Sequence, residues 1–161
     1  MDCPVRFLGL TAAVLFAGVL GLASGYAAAN GGRVDASVEH TCSALDKKFI
    51  RTASLNMSSV GAVGREYLTG TVPAEDVLAE VERASAMLKR AKPTDPALSR
   101  ARLVMSAMLR EYGGAIEAHA NEGDPGRFMF RAYGLANFAH DLLVTAEPHL
   151  RKRGCDVSGL L

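Results

Sequence analysis

The sequence has no tryptophan, and aromatic residues make up only 6% of its 161 residues. Aromatic and β-branched residues favour strands, whereas alanine, leucine and methionine, which supply much of the apolar content here, favour helices. The composition therefore predicts closely packed helices and argues against a β-sandwich.

An excess of either charge is also missing. The 18 basic and 17 acidic residues leave a formal net charge of +1. A chain without a strong field has no general electrostatic attraction for nucleic acid or anionic lipid. We therefore predict no nucleic-acid partner, and any other partner must be recognised by local contacts.

Motifs of catalysis and metal binding are absent from the sequence. None of the four histidines follows a glutamate by three residues, and none belongs to an H-x-x-x-H or H-E-x-x-H pattern. There is no C-x-x-C pair and no G-x-S-x-G elbow. The sequence thus predicts no catalytic residue, no metal site and no cofactor, which indicates a protein that is not an enzyme.

A long apolar run covers residues 7–29 and holds no charged residue. Arg6 precedes this run, and Ala27, Ala28 and Ala29 are the small residues that a signal peptidase accepts. We interpret residues 1–29 as a cleaved signal peptide and residues 30–161 as the mature domain. A membrane-spanning helix needs about 20 residues, so an uncleaved membrane anchor is the alternative.

Three cysteines are present, and Cys3 would leave with the signal peptide. Cys42 and Cys155 remain near the two ends of the mature domain. In an oxidising compartment such a pair predicts a disulfide, whereas in cytosol two unrelated buried thiols would be the better interpretation. We expect a secreted, periplasmic or cell-envelope protein with a Cys42–Cys155 disulfide.

Apolar residues step by three and four along two segments in the first half of the mature domain. The first predicted helix starts near Asp35 or Ser37 and ends at Thr69. Gly61 and Gly64 within it mark either a close helix contact or a break. The second helix lies between residues 73 and 93, where one proline begins it and another stops it.

Two more helices follow in the second half. The third covers residues 96–121, with Asp95 as N-cap, and its Gly113-Gly114 pair allows the same two interpretations as the earlier glycines. The fourth begins after Pro125 and carries a wide apolar face, so we expect it to be the best-buried element. Pro148 either kinks this helix or starts a short final turn.

The short connections between these helices predict antiparallel neighbours. The expected fold is all-α, an up-down-up-down four-helix bundle closed by one disulfide and preceded by the signal peptide. This topology brings the start of the first helix and the end of the fourth to one end of the molecule. The predicted pairing of Cys42 with Cys155 agrees with it.

Two short segments carry a resemblance to known proteins. A cysteine early in the first helix, in HTCSAL at residues 40–45, is combined with the terminal GCDVSGLL at residues 154–161. This combination resembles small uncharacterised secreted or lipid-anchored helical proteins of high-GC Gram-positive bacteria. The resemblance implies an exported helical domain and carries no activity over.

Methionines, tyrosines and histidines at helical spacing on the third and fourth helices are the candidate ligand-binding residues. Without a C-x-x-C-H motif, any haem would be bound non-covalently. Such residues also serve as ordinary core filling. The candidates, expected near Gly113-Gly114, are Met105, Met108, Tyr112, His119, Met129, Tyr133 and His140.

The function that these observations favour is that of an exported, non-enzymatic binding or structural module. It would present a rigid helical surface to a protein of the cell envelope or the extracellular space. One alternative is a carrier of haem or a small apolar molecule between helices. A further alternative is a membrane-tethered envelope protein, which requires the apolar run to stay uncleaved.

Overall fold

The computed structural model describes residues 41–161, and the predicted signal peptide at residues 1–29 lies outside this range. All regular structure in the described range is helical, which confirms the predicted all-α class. The elements are α1 (Ala44–Leu68), α2 (Ala74–Arg90), α3 (Pro96–Ala120), α4 (Gly126–Lys152) and a C-terminal 3₁₀ helix (Ser158–Leu160).

The start of α1 differs from the sequence prediction, because residues 41–43 are not helical. Ser43 is the N-cap, and its hydroxyl accepts a hydrogen bond from the backbone N–H of Asp46 at 3.0 Å. The backbone N–H of Cys42 donates to the carbonyl oxygen of Arg153 at 2.6 Å. The apolar periodicity runs past the cap, so it does not reveal that Cys42 precedes the helix.

The ends of α3 and α4 follow their local sequence signals. The Asp95 carboxylate caps α3 by accepting from the backbone N–H of Ala97 at 2.8 Å, and Pro96 takes the first helical position. Pro148 lies inside α4, which continues to Lys152. The missing N–H of Pro148 therefore falls within the last turns of the helix.

The connections between the helices cover residues 69–73, 91–95 and 121–125. Connections this short join antiparallel neighbours, so the chain runs up-down-up-down as predicted. Cys42 and Cys155 form a disulfide with a Cα–Cα distance of 5.1 Å across a sequence separation of 113 residues. The start of α1 and the end of α4 thus meet, and we call this side of the bundle the disulfide end.

A single hydrophobic core draws on all four helices and the C-terminal tail. The tail packs back on α1, where Val157 is buried and Gly159 lies against Ser54. The largest fully buried apolar side chains are Phe49, Val77, Leu88, Leu98, Leu109, Leu143, Leu150 and Val157.

A buried carboxylate joins three segments at the disulfide end. Asp46 is fully buried, and its Oδ1 accepts from the backbone N–H groups of Thr94 at 2.6 Å and Asp95 at 3.0 Å. Its Oδ2 accepts from the hydroxyls of Ser43 and Thr94, both at 2.7 Å. Asp95 in turn forms an ion pair with Arg153 near the end of α4. The network links α1, the α2–α3 connection and α4.

Two opposing effects act on the pKa of Asp46. Burial raises the pKa, because it disfavours the charged form. The hydrogen bonds that Thr94, Asp95 and Ser43 donate lower it and together outweigh burial. The net result is a pKa below the ordinary value, so Asp46 stays ionised inside the fold.

The helices do not pack equally on one another. α3 packs along both α2 and α4, and α2 packs along α1, whereas α1 and α4 make no comparable contact. The expectation that α4 is the best-buried element is wrong, because α4 has four buried residues and α3 has seven. The wide apolar face of α4 lacks the neighbour that would cover it, since α1 approaches it closely only at the disulfide end.

Gly64 in α1 and Gly114 in α3 mark close contacts, and both helices run through their glycines without a break. A Cβ atom at Gly64 would overlap the hydroxyl of Tyr112 on α3. A Cβ atom at Gly114 would lie 2.9 Å from Cδ1 of Phe128 on α4. Absence of a side chain at these positions lets α3 approach its neighbours.

Replacement of Gly114 by alanine is expected to destabilise the fold. Overpacking against the Phe128 ring costs about 1 to 3 kcal/mol, which exceeds the gain of up to about 1 kcal/mol from the better helix propensity of alanine. Gly134 on α4 is the matched control, because a Cβ atom there would meet nothing within 4 Å. Gly134→Ala should stabilise the protein by about 0.5 to 1 kcal/mol.

Urea unfolding followed by circular dichroism measures both glycine variants. The close-contact interpretation requires opposite signs for the two changes. If Gly114→Ala were as stabilising as Gly134→Ala, the close contact between Gly114 and Phe128 would not affect the free energy of unfolding.

Candidate functional site

A groove with a volume of about 410 Å³ lies between α1 and α4, with α3 as its floor. Four methionines line it, so we call it the methionine groove. Its lining residues are Met57, Val60 and Gly61 from α1, Met105, Met108 and Tyr112 from α3, Met129, Ala132, Tyr133, Ala136, Ala139 and His140 from α4, and Leu160 from the tail.

The groove exists because α1 and α4 separate beyond the disulfide end and small side chains leave the gap unfilled. Ala132, Ala136 and Ala139 follow one another at steps of four and three, so they share one face of α4. Gly61 has no side chain on the opposite wall. A Cβ atom at Gly61 would meet only the Arg65 guanidinium, at 3.5 Å.

The groove lining is apolar and flexible. It contains no aspartate, glutamate, lysine or arginine, and its four methionines come from three helices. Methionine side chains are unbranched and polarisable, so they adapt to ligands of different shape. A volume of this size falls in the range of about 300 to 1,000 Å³ that is typical of small-molecule pockets.

Three of the residues that line the groove carry polar side-chain atoms. His140 carries a ring nitrogen, Nδ1, at 3.6 Å from the carboxylate of Asp141. Tyr133 is 68% exposed, whereas Tyr112 is half-buried against Gly64. Burial and, secondarily, the neighbouring Tyr67 raise the pKa of Tyr112, so its hydroxyl is a neutral donor at physiological pH.

Six of the seven residues that the sequence singled out line the methionine groove. They come from two helices that are adjacent in the bundle, and the six are Met105, Met108, Tyr112, Met129, Tyr133 and His140. The seventh, His119, is exposed and does not line the groove. Its Nδ1 lies 2.5 Å from the hydroxyl of Tyr67, and the two rings meet edge to face.

The Gly113-Gly114 pair is a packing feature and not part of the groove wall. Gly113 faces Val81 on α2, and Gly114 faces the ring of Phe128. The two glycines therefore do not line the methionine groove, although Tyr112, the residue before them, does. Helical rotation turns adjacent residues by about 100°, which separates the glycines from the groove.

Sequence reasoning missed the wall that α1 contributes. Met57 was not singled out as a candidate, although it lies four residues after Ala53 and three before Val60, and Gly61 stood as either a contact or a break. The spacing of Ala132, Ala136 and Ala139 could have indicated the α4 wall of the groove from the sequence, since three small residues on one helix face indicate either close packing or a gap.

The arrangement supports binding of an apolar molecule. None of the groove residues is a serine, cysteine or carboxylate that could act as a nucleophile or general base beside His140. Within residues 41–161, no three histidine, cysteine, aspartate or glutamate side chains come together in a way that could hold a metal ion. In the same part of the chain, no helix combines the length and apolar character needed to cross a membrane.

Comparison with family models, with curated proteins and with solved structures finds no match for this chain.

Proposed function

We propose that this protein is an exported, non-enzymatic binding module that holds a small apolar molecule in the methionine groove. The observation that carries the proposal is the groove itself, which is walled by α1 and α4 and floored by α3. Its adaptable thioether lining and three polar side chains suit a mainly hydrophobic ligand with one or two hydrogen-bonding groups.

Two features support export. The apolar run at residues 7–29 has the composition of a signal peptide, and three alanines stand at its end. The Cys42–Cys155 disulfide fits an extracellular or periplasmic protein, because reducing systems keep cytosolic thiols free. An apolar ligand outside the cytoplasm would gain a soluble, water-shielded carrier.

Filling the groove should abolish ligand binding. Gly61→Leu places a large side chain on the groove wall, at a position where only a mobile arginine is near. We expect the wild-type protein to enhance the fluorescence of an environment-sensitive apolar dye with saturation, and Gly61→Leu to weaken dye binding by at least about tenfold, equivalent to about 1.4 kcal/mol.

Gly134→Leu is the matched control, since it adds the same side chain to an open position on α4 outside the groove. It should bind the dye like the wild type, and circular dichroism should show that both variants are folded. Dye binding that is unsaturable, or equally affected by both changes, would contradict the groove as the site. Haem titration in the same proteins, read from the Soret band, tests whether the apolar ligand is a porphyrin.

The presentation of a helical surface to an envelope or extracellular protein stays a prediction. If the Gly61→Leu protein no longer bound the dye but still captured a specific envelope protein, the result would favour protein binding over small-molecule carriage. A tethered form is distinguished by the N-terminal residue of the mature protein, which is Asn30 after cleavage of the predicted signal peptide.

A further inference from the structure

An exposed stripe runs along α4 beside the methionine groove. Phe130 is 82% exposed and Tyr133 68%, which is unusual for aromatic side chains in a folded domain. The other members of the stripe are also exposed. The α4 stripe consists of Phe130, Tyr133, Asn137, Asp141 and Val144.

The α4 stripe is symmetric in its spacing. Successive members are separated by three, four, four and three residues, so they lie on one helix face and are arranged evenly about Asn137. An antiparallel copy of α4 centred on Asn137 therefore presents the same five positions in reverse order. Tyr133 lies opposite Asp141 of the second copy, and Phe130 lies opposite Val144.

Each of these pairings is chemically complementary. The tyrosine hydroxyl donates to a carboxylate, and the aromatic ring of Phe130 covers an aliphatic side chain. Asn137 meets its own copy on the twofold axis, where two amides can exchange hydrogen bonds. An asparagine at the centre of a helix seam is a known device for setting register.

We infer that α4 is the interface of a homodimer in which two copies pack antiparallel along the α4 stripe. A twofold interface requires a surface that complements itself, and the mirror-symmetric order of these residues meets that requirement. The pairings of Tyr133 with Asp141 and of Phe130 with Val144 favour a second copy as the occupant, because they arise only when this helix face meets itself. The stripe spans about 21 Å, a length that suits a modest interface formed by one helix pair.

Sedimentation equilibrium of the purified mature protein tests the dimer. The weight-average mass should rise from one chain towards two over about 1 to 500 µM, as expected for a small interface. Phe130→Glu should raise the dissociation constant by at least about tenfold. Phe138→Glu is the matched control, because Phe138 is 54% exposed on the same helix but lies off the stripe, and it should leave the dissociation constant unchanged.

The antiparallel register is tested separately. Tyr133→Lys places an ammonium group opposite Asp141 of the second copy, so dimerisation should persist. The double change Tyr133→Lys with Asp141→Lys places two cations opposite each other and should abolish the dimer. If Tyr133→Lys alone also abolished the dimer, Tyr133 would lie opposite Tyr133 of the second copy, and the antiparallel register would be wrong.

The dimer goes beyond the proposed ligand binding and does not depend on it. Gly61→Leu, which fills the groove, should leave self-association intact, so failure of one proposal is distinguishable from failure of the other. A protein that stays monomeric across the whole concentration range overturns the dimer. Monomers that cosediment with phospholipid vesicles through Phe130 would overturn it too, and would assign the stripe to a membrane surface.

Discussion

Replacement of Cys42 and Cys155 by serine is expected to lower the free energy of unfolding by about 4 to 5 kcal/mol in the chain-entropy description of cross-links. The cross-link closes a loop of over a hundred residues, so its loss releases a large unfolded-state entropy. A domain of this size has a total stability of about 5 to 15 kcal/mol, so the doubly substituted protein should be close to unfolding.

The structure adds a local reason for the size of this effect. Because α1 and α4 have little direct contact, the disulfide and the hydrogen bond from Cys42 to Arg153 hold their ends together. Loss of the disulfide should also loosen the tail, where Val157 and Leu160 pack against the core. Hydrogen exchange of the amides after Cys155 should therefore accelerate beyond the change expected from global stability alone.

Reduction of the wild-type protein is the internal control for the cysteine changes. A reducing agent should lower the urea midpoint of the wild type to that of the serine variant and leave the serine variant unaffected. A wild-type midpoint that reductant does not move would show that the cross-link contributes nothing to stability.

Replacement of Asp46 by alanine is expected to cost about 3 to 5 kcal/mol. The change leaves the backbone N–H groups of Thr94 and Asp95 without the buried carboxylate oxygen that accepts from both. It also removes the link between α1 and the α2–α3 connection. Asp46→Asn keeps an oxygen for these two donors, so it should cost only about 1 to 2 kcal/mol.

The acid dependence of stability follows from the lowered pKa of Asp46. Because its folded-state pKa lies below its unfolded-state value, the contribution of the carboxylate is complete above about pH 5 and is lost as the pH falls through the folded-state pKa. The stability gap between wild type and Asp46→Asn should therefore narrow on acidification from about pH 5 to about pH 2. Urea unfolding at a series of pH values measures the gap.

Asp76→Asn serves as the control for the aspartate changes. Asp76 is exposed in the first turn of α2, so its replacement should change stability by less than about 0.5 kcal/mol. A pH-independent gap between wild type and Asp46→Asn would contradict the account of Asp46 as a carboxylate held ionised by its donors.

The sequence predicted the local features well where one side chain decides them. Asp95 and Pro96 together specify the start of α3. The Asp95 carboxylate accepts hydrogen bonds from free backbone N–H groups of the first turn, and Pro96 has no backbone N–H that would need an acceptor. The start of α1 was missed, because the periodicity of apolar residues continues beyond the capping Ser43. Six groove residues were found because methionines and tyrosines share a face of α3 or α4, but nothing local placed the wall that α1 adds.

The amino-acid sequence alone determined four helices, their antiparallel order and the disulfide that joins their ends, since each depends on spacing, caps and short connections along the chain. Only the tertiary structure decided that α1 leaves α4 partly uncovered, that Gly64 and Gly114 are contacts, and that an apolar groove remains. The physical reason is that periodicity shows which side of a helix is apolar. Whether a neighbour covers that side depends on the distance between helix axes and on side-chain sizes facing each other across the gap.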